Sequence, residues 1–390
     1  MRRRAIGSCK FLDSRRLGGA KNALLLLLLT MFYVDYQVCI ETKKKTLEQY
    51  KGFAMLLGRR MQRKGLELAR DSVKFDTRKF YQGDVAFVSM NYDPILLWMQ
   101  FLAHRELNKS PAVPHVGTPS VPLHVFNDFG HLIPSRSIEK RDADYSWYPM
   151  NEAVAQRLNE LKSGGEEKVR LTKILFPHGS LCWRGCPNCG KLSAYHADQW
   201  DLFAPDLFPP PPLRAFDRNG CPERIKDLEK DERRKGRVDA RACLSCGQLT
   251  FANHTQAIMQ SSFKARPPSF IEEIQRDLRA VTMRAKHVIF MGYSLPRDDV
   301  TYRAFFAARR QRAGAAKVRC TIVNKNNEYP DWYWPDEIKA SRLAEDPVVN
   351  AAQDVFGIEN VRFFGGGVPD VFLDRGIASE EKLERLLEWQ

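Results

Sequence analysis

No stretch of this chain reaches the roughly 20 consecutive apolar residues that a bilayer-spanning helix needs, so a membrane protein is not expected. The longest apolar run, Ala23 to Val34, contains six consecutive leucines, Leu24 to Leu29, behind a basic start. In outline it resembles a signal peptide. No small-residue cleavage site follows it, since the next residues are Asp35-Tyr36-Gln37, and it reads as a buried helix. Cysteine is sparse: nine in 390 residues do not make a disulfide scaffold. No internal repeat is evident, which excludes solenoids and propellers. The net charge is +14, yet no RNA-binding signature or recognition-helix pattern accompanies it. The basic excess is spread along the chain and densest at Arg2, Arg3, Arg4, Lys10, Arg15, Arg16 and Lys21. It reads as a solvated surface rather than a specific nucleic-acid interface.

What remains is a globular chain long enough for one large domain or two, with an ordinary apolar content of 44%. Leu47 to Arg70 carries a helical apolar pattern. Asp84 to Met90 has the length of a buried strand and ends in Asn91-Tyr92-Asp93-Pro94. There Asp93 and Pro94 suit the N-cap and first position of a helix. Residues 108–150 are rich in Pro, His, Gly and Ser and read as loop with short strands. The spacing of His104, His115, His124 and His131 matches no zinc motif. Val169 to Phe176 is a second strand and ends at His178. Phe270 to Ala285 is an amphipathic helix with Ile274, Leu278 and Val281 on one face. His287 to Met291 is a third strand, ending in Gly292-Tyr293-Ser294-Leu295-Pro296, with a helix from Asp298 or Asp299. Lys317 to Val323 is a fourth strand, ending at Asn324, and Ser379 to Trp389 is a closing helix.

Helix and strand alternate through the second half, which argues for a mostly parallel α/β sheet. Four strand candidates end in polar or glycine clusters: Asn91 to Asp93, His178 to Ser180, Gly292 to Ser294, and Asn324. In such a sheet ligands bind outside the carboxyl ends of the strands, so all four clusters are expected on one crevice. Glycine there permits close approach of a ligand, and Ser294 precedes a helix start suited to phosphate.

Cys186-x2-Cys189 and Cys243-x2-Cys246 form two knuckles, each followed by glycine, Gly190 and Gly247. Four thiolates close a tetrahedral site, so a structural zinc is expected. Cys182 is a competing ligand that breaks the symmetry of the pair. Cys9, Cys39, Cys221 and Cys320 read as incidental.

Taken in order, Ser-Met-Asn91-Tyr-Asp93-Pro, Phe-Pro-His178-Gly-Ser-Leu-Cys-Trp, Cys-Pro-Asn-Cys189-Gly, Cys-Leu-Ser-Cys246-Gly and Phe-Met-Gly292-Tyr-Ser294-Leu-Pro resemble the SIR2-like domain family. The likeness is to its bacterial, NAD-consuming branch and runs from about Asp84 to Gly367. It implies an α/β fold with a Rossmann-like, mostly parallel sheet flanked by helices and an inserted four-cysteine zinc ribbon. By that resemblance Asn91 and His178 are the catalytic pair: Asn91 contacts the nicotinamide ribose and His178 is the general base. Asp93 would contact the nicotinamide amide. Gly292, Tyr293 and Ser294 would cradle the phosphates and ribose, and Asn324 would meet the adenosine ribose. The Gly-Ala-Gly-x-Ser type loop with which the family opens is not found; Gly18-Gly19-Ala20 precedes the apolar run instead of following it.

The resulting domain expectation is an atypical segment over 1–46 and the NAD-binding domain over 47–181 and 248–378. The ribbon is inserted over 182–247, and a terminal helix spans 379–390. The expected activity is NAD glycohydrolysis to nicotinamide and ADP-ribose, in bacterial anti-phage defence and in the cytoplasm. NAD is the expected substrate, and self-association as a homo-oligomer stays open. The alternatives are an NAD-dependent protein deacylase and a catalytically degraded zinc or nucleic-acid binding module, which the missing phosphate loop favours and intact Asn91 and His178 oppose.

Overall fold

A computed structural model describes residues 24, 27, 31, 44–70, 81–92, parts of 95–107, 123–127, 133–134, 146–147, 170–190, 192–194, parts of 228–236, 240–243, 246–258, 269–297, 299–311 and 317–389. Asp93, His104, His115 and His131 lie outside them, as does the side chain of His124.

Helix α1 spans Lys44–Arg70. It buries Phe53, Ala54, Leu56 and Leu57, and Phe53 stacks on Phe372 with ring centroids 4.6 Å apart. Its polar flank is tied to the last helix, α5 (Glu380–Leu387): Arg60 pairs with Glu384 and Arg63 with Glu380 at 3.3 Å. The apolar run near the start is corrected in part. Leu24, Leu27 and Met31 are helical, but they are 47, 55 and 57% exposed, so this face is not buried among the described residues. Among the described residues no helix is long and apolar enough to cross a membrane.

Strands β1 (Tyr81–Val88), β2 (Leu123–Asn127) and β3 (Arg170–Leu175) form a parallel sheet in the order β1-β3-β2. Phe87 lies beside Ile174, and Phe126 beside Lys173. Strand β4 (Gly179–Gly185) leaves β3 after a tight turn and enters an antiparallel ribbon between β8 (Thr255–Ala257) and β5 (Leu192–Ala194). Between them the short pair β6 (Arg241–Ala242) and β7 (Leu249–Thr250) completes the cysteine-bearing unit.

After α2 (Ser269–Arg284) comes a second sheet. Here β9 (His287–Met291), β10 (Arg319–Val323) and β12 (Val361–Phe364) are parallel, and β11 (Trp332–Tyr333) pairs antiparallel at the edge. Helix α3 (Val300–Gln311) connects β9 to β10, and α4 (Pro347–Phe356) packs on the same sheet. The chain is therefore mixed α/β, with parallel and antiparallel sheets. Among the described residues no ladder joins the two parallel sheets into one. They do share one hydrophobic core that runs from Ile174 and Phe176 to Phe290, Ile322 and Phe363.

Helix α4 was not anticipated, although its signals are local. Asp346 caps it, accepting from the backbone N–H of Val348 at 2.9 Å and Val349 at 3.2 Å. Pro347 then opens the first turn, and Val349, Ala352, Val355 and Phe356 face the core.

Candidate functional site

His178 sits in the turn between β3 and β4 and is fully buried. The turn closes where the Gly179 N–H donates to the Phe176 carbonyl at 2.9 Å, while the Ile258 N–H donates to the His178 carbonyl at 2.9 Å. Gly179 is needed there on two counts. Its φ is +77°, and a Cβ would lie 2.2 Å from the Gln256 carbonyl oxygen.

The ring of His178 has polar groups at both of its nitrogens. Its Nδ1 lies 3.0 Å from the Met90 carbonyl. A carbonyl can only accept, so Nδ1 carries the hydrogen and donates it. Its Nε2 faces Asp299 Oδ1 at 3.6 Å, and Asp299 is itself 1% exposed. Tyr293 donates its hydroxyl to the other oxygen of Asp299. Tyr302 approaches the imidazole edge-on with centroids 5.0 Å apart. Its hydroxyl donates to the Pro177 carbonyl at 3.0 Å, and Gln275 donates to the same carbonyl at 3.1 Å. Burial pushes the hydroxyls of Tyr293 and Tyr302 upward, so both stay protonated donors.

The turn around Asn91 is clamped by the same segment. The carbonyl before it, of Met90, receives His178, and the carbonyl after it, of Tyr92, receives the Ser180 hydroxyl at 2.9 Å. Tyr92 in turn donates to the Ile258 carbonyl at 2.8 Å. Asn91 itself is exposed. Its backbone is therefore fixed while the residue is open to solvent, an arrangement suited to contacting a ligand.

The remaining two clusters meet each other through backbone, and the Tyr293 and Asp299 side chains link them to His178. Gly292, at φ +68°, donates its N–H to the Val323 carbonyl at 2.9 Å, next to Asn324. Asn324 donates its own N–H to Phe364 at 3.1 Å, and its side-chain oxygen accepts from the Lys325 N–H at 3.0 Å. Gly292 and Ser294 are exposed, whereas Tyr293 is turned inward to Asp299. Leu295 is buried at φ +48°, a conformation that L residues seldom adopt, and its carbonyl is held by Arg303 at 3.1 Å. The four strand ends thus form one connected group. Asp299 was the residue missed from the sequence, where it served only as a helix start; no local signal links it to His178.

The four cysteines also come together. The Sγ atoms of Cys186, Cys189, Cys243 and Cys246 all lie within 4.8 Å of one another. Cys186 and Cys246 are 3.6 Å apart, and Cys189 and Cys243 are 3.7 Å apart. A tetrahedral metal with metal–sulfur bonds of about 2.3 Å spaces its sulfurs by about 3.8 Å, so the set could hold a metal ion. The knuckles are alike: Gly190 donates to the Cys186 carbonyl at 3.0 Å and Gly247 to the Cys243 carbonyl at 2.9 Å. Burial pushes the Cys186 thiol up to about 12, while the Gln248 backbone N–H pulls Cys246 down to about 6. Cys182 lies in β4, with its side chain outside the described residues. Cys320 is a buried core residue, as its incidental reading anticipates.

No family model matches the chain, and neither a curated protein nor a solved structure matches it.

Proposed function

We propose that this chain is an NAD glycohydrolase of SIR2-like type. On this reading the two parallel sheets are the halves of a Rossmann-like NAD-binding domain, and the four cysteines hold a structural zinc. The observation that carries it is the clamp around Asn91: His178 and Ser180 hold the peptides on either side, and Asn91 is left exposed at the strand end. Asn91 would hold the nicotinamide ribose by donating and accepting without adding charge. The bond from C1′ to the pyridinium nitrogen breaks, and its electron pair goes to nicotinamide. Water adds to C1′ and its proton passes to His178 Nε2. Histidine suits that step because it can take up a proton near neutral pH. His178 is covered in this form, so NAD must displace part of that cover to reach it. Asp93, Gly292, Ser294 and Asn324 would supply the remaining contacts to NAD.

The test is to incubate purified protein with NAD, with and without acetylated peptide, and follow nicotinamide and ADP-ribose. Release without peptide, lost in Asn91→Ala and His178→Ala, supports hydrolysis. Release only with peptide supports the deacylase, and no release from folded, metal-loaded protein sinks both. Metal analysis should return one zinc per chain, and none in Cys243→Ser.

A further inference from the structure

We infer that Asp299 is a positioning residue for His178, with Tyr293 holding the carboxylate in place; this rests on the hydrolase reading above. The Met90 carbonyl requires the hydrogen on Nδ1, which leaves Nε2 as the nitrogen able to accept a proton. That nitrogen faces the Asp299 carboxylate across 3.6 Å. When Nε2 takes the proton of the attacking water, the imidazolium formed lies beside a buried negative charge. The carboxylate therefore favours the charged product of proton transfer over the neutral ring, most strongly in a dry setting.

Asp299 is placed for this by its own loop. Its N–H donates to the Pro296 carbonyl at 3.1 Å, and its carbonyl receives the Tyr302 and Arg303 N–H groups at 3.1 Å, so the helix start holds its backbone. The Tyr293 hydroxyl occupies Oδ2, which leaves Oδ1 for the ring. Among the described residues, the groups facing the imidazole include the Asp299 carboxylate and the rings of Tyr92 and Tyr302, with centroids 6.3 and 5.0 Å away. Arg303 reaches the same loop, but its described hydrogen bond goes to the Leu295 carbonyl.

The test compares wild type with Asp299→Asn, Asp299→Glu and Tyr293→Phe. Asp299→Asn should lower kcat by about 10- to 100-fold, within the range of general-base effects, with KM changed less than threefold or so. Asp299→Glu should recover part of the loss, and Tyr293→Phe should lose less than Asp299→Asn. In parallel, the ring nitrogens of His178 are followed by ¹⁵N NMR in wild type and Asp299→Asn without NAD. The wild-type spectrum should show hydrogen on Nδ1, with Nε2 shifted by the substitution. An Asp299→Asn protein with unchanged kcat and unchanged ring shifts overturns the inference. If wild type does not hydrolyse NAD, the hydrolase reading fails, and the ring shifts alone decide whether Asp299 sets the state of His178.

Discussion

Two buried clusters of polar groups sit at opposite ends of the parallel strands, and they are built for different ends. At the carboxyl ends, His178, Asp299 and Tyr293 lie beside exposed Asn91, Gly292 and Ser294. At the amino end of the second sheet, Arg362 is fully buried among the indoles of Trp332, Trp334 and Trp389, at 4.7, 5.1 and 4.9 Å from the ring centres. Its Nη2 donates to the Arg385 and Leu386 carbonyls at 2.9 and 2.8 Å, which caps the last helix. Its Nε donates to Thr321 Oγ1 at 2.7 Å. His287 completes the chain: its Nδ1 donates to the Leu387 carbonyl at 3.0 Å, and its Nε2 accepts from Thr321 Oγ1 at 2.6 Å. Burial, reinforced by Arg385 and Arg319, lowers Arg362 to about 10. Both regions bury a base and a partner. The first adjoins exposed Asn91, Gly292 and Ser294 at the strand ends, whereas the exposed neighbours of the second, Arg319 and Arg385, lie over the rings of Trp389 and Trp332. Burial of a charged group is thus no mark of function by itself, and its exposed neighbours discriminate better.

Substitutions at each end should separate the two roles. The largest effect is expected from His178→Ala: the proposed NAD hydrolysis should fall by about 10²- to 10⁴-fold, with cooperative thermal unfolding retained. Steady-state kinetics and calorimetry on one preparation check it. Arg362→Ala should instead cost about 3 kcal/mol of stability by uncapping the helix and leaving a cavity under the indoles. Urea unfolding measures it, and kcat of the folded fraction should stay unchanged. A kcat that falls with Arg362→Ala at full folding would erase the contrast.

Acid should act on the second region. Burial lowers His287 from 6.5 to about 4 in the folded protein. As pH falls from 6.5 towards 4, the unfolded chain binds a proton that the folded one refuses. Stability is therefore full above the unfolded value, is lost through that window and levels off below it. The loss from this group is at most about 3 kcal/mol. Urea midpoints at pH 7 and pH 5 should differ, and His287→Gln should flatten the difference. The smallest effect is expected from Trp334→Leu, which removes one indole from Arg362 while keeping apolar volume. It should cost about 1 kcal/mol, the scale of a single partly desolvated cation–π contact.

Much of the framework was legible locally. His287–Met291 was bounded correctly because an apolar run stops at Gly292. The helix Ser269–Arg284 followed from its periodicity, with Ile274 and Leu278 buried as expected. The cysteine quartet followed from two like knuckles, since metal ligands impose their spacing on the chain. Other features were not legible. β4 begins immediately after His178 and carries the chain to Cys186, so histidine and metal knuckle are joined by a strand rather than a loop. Residues Leu24, Leu27 and Met31 have a helical apolar pattern but no cover among the described residues, because periodicity specifies a face and not its partner.

The amino-acid sequence alone determined the strand ends and the four thiols, because turns and metal knuckles depend on residues only a few positions apart. It named Asn91, His178, Gly292 and Asn324 as neighbours on a crevice but supplied no contact between them. Only the tertiary structure decided that His178 spans from the Met90 carbonyl to Asp299, 121 positions further on. Such pairings depend on how β1, β3 and β9 are set beside one another and on the path of the Gly292–Asp299 loop. Both are set by nonlocal packing around a shared core, which leaves no periodicity in the chain itself.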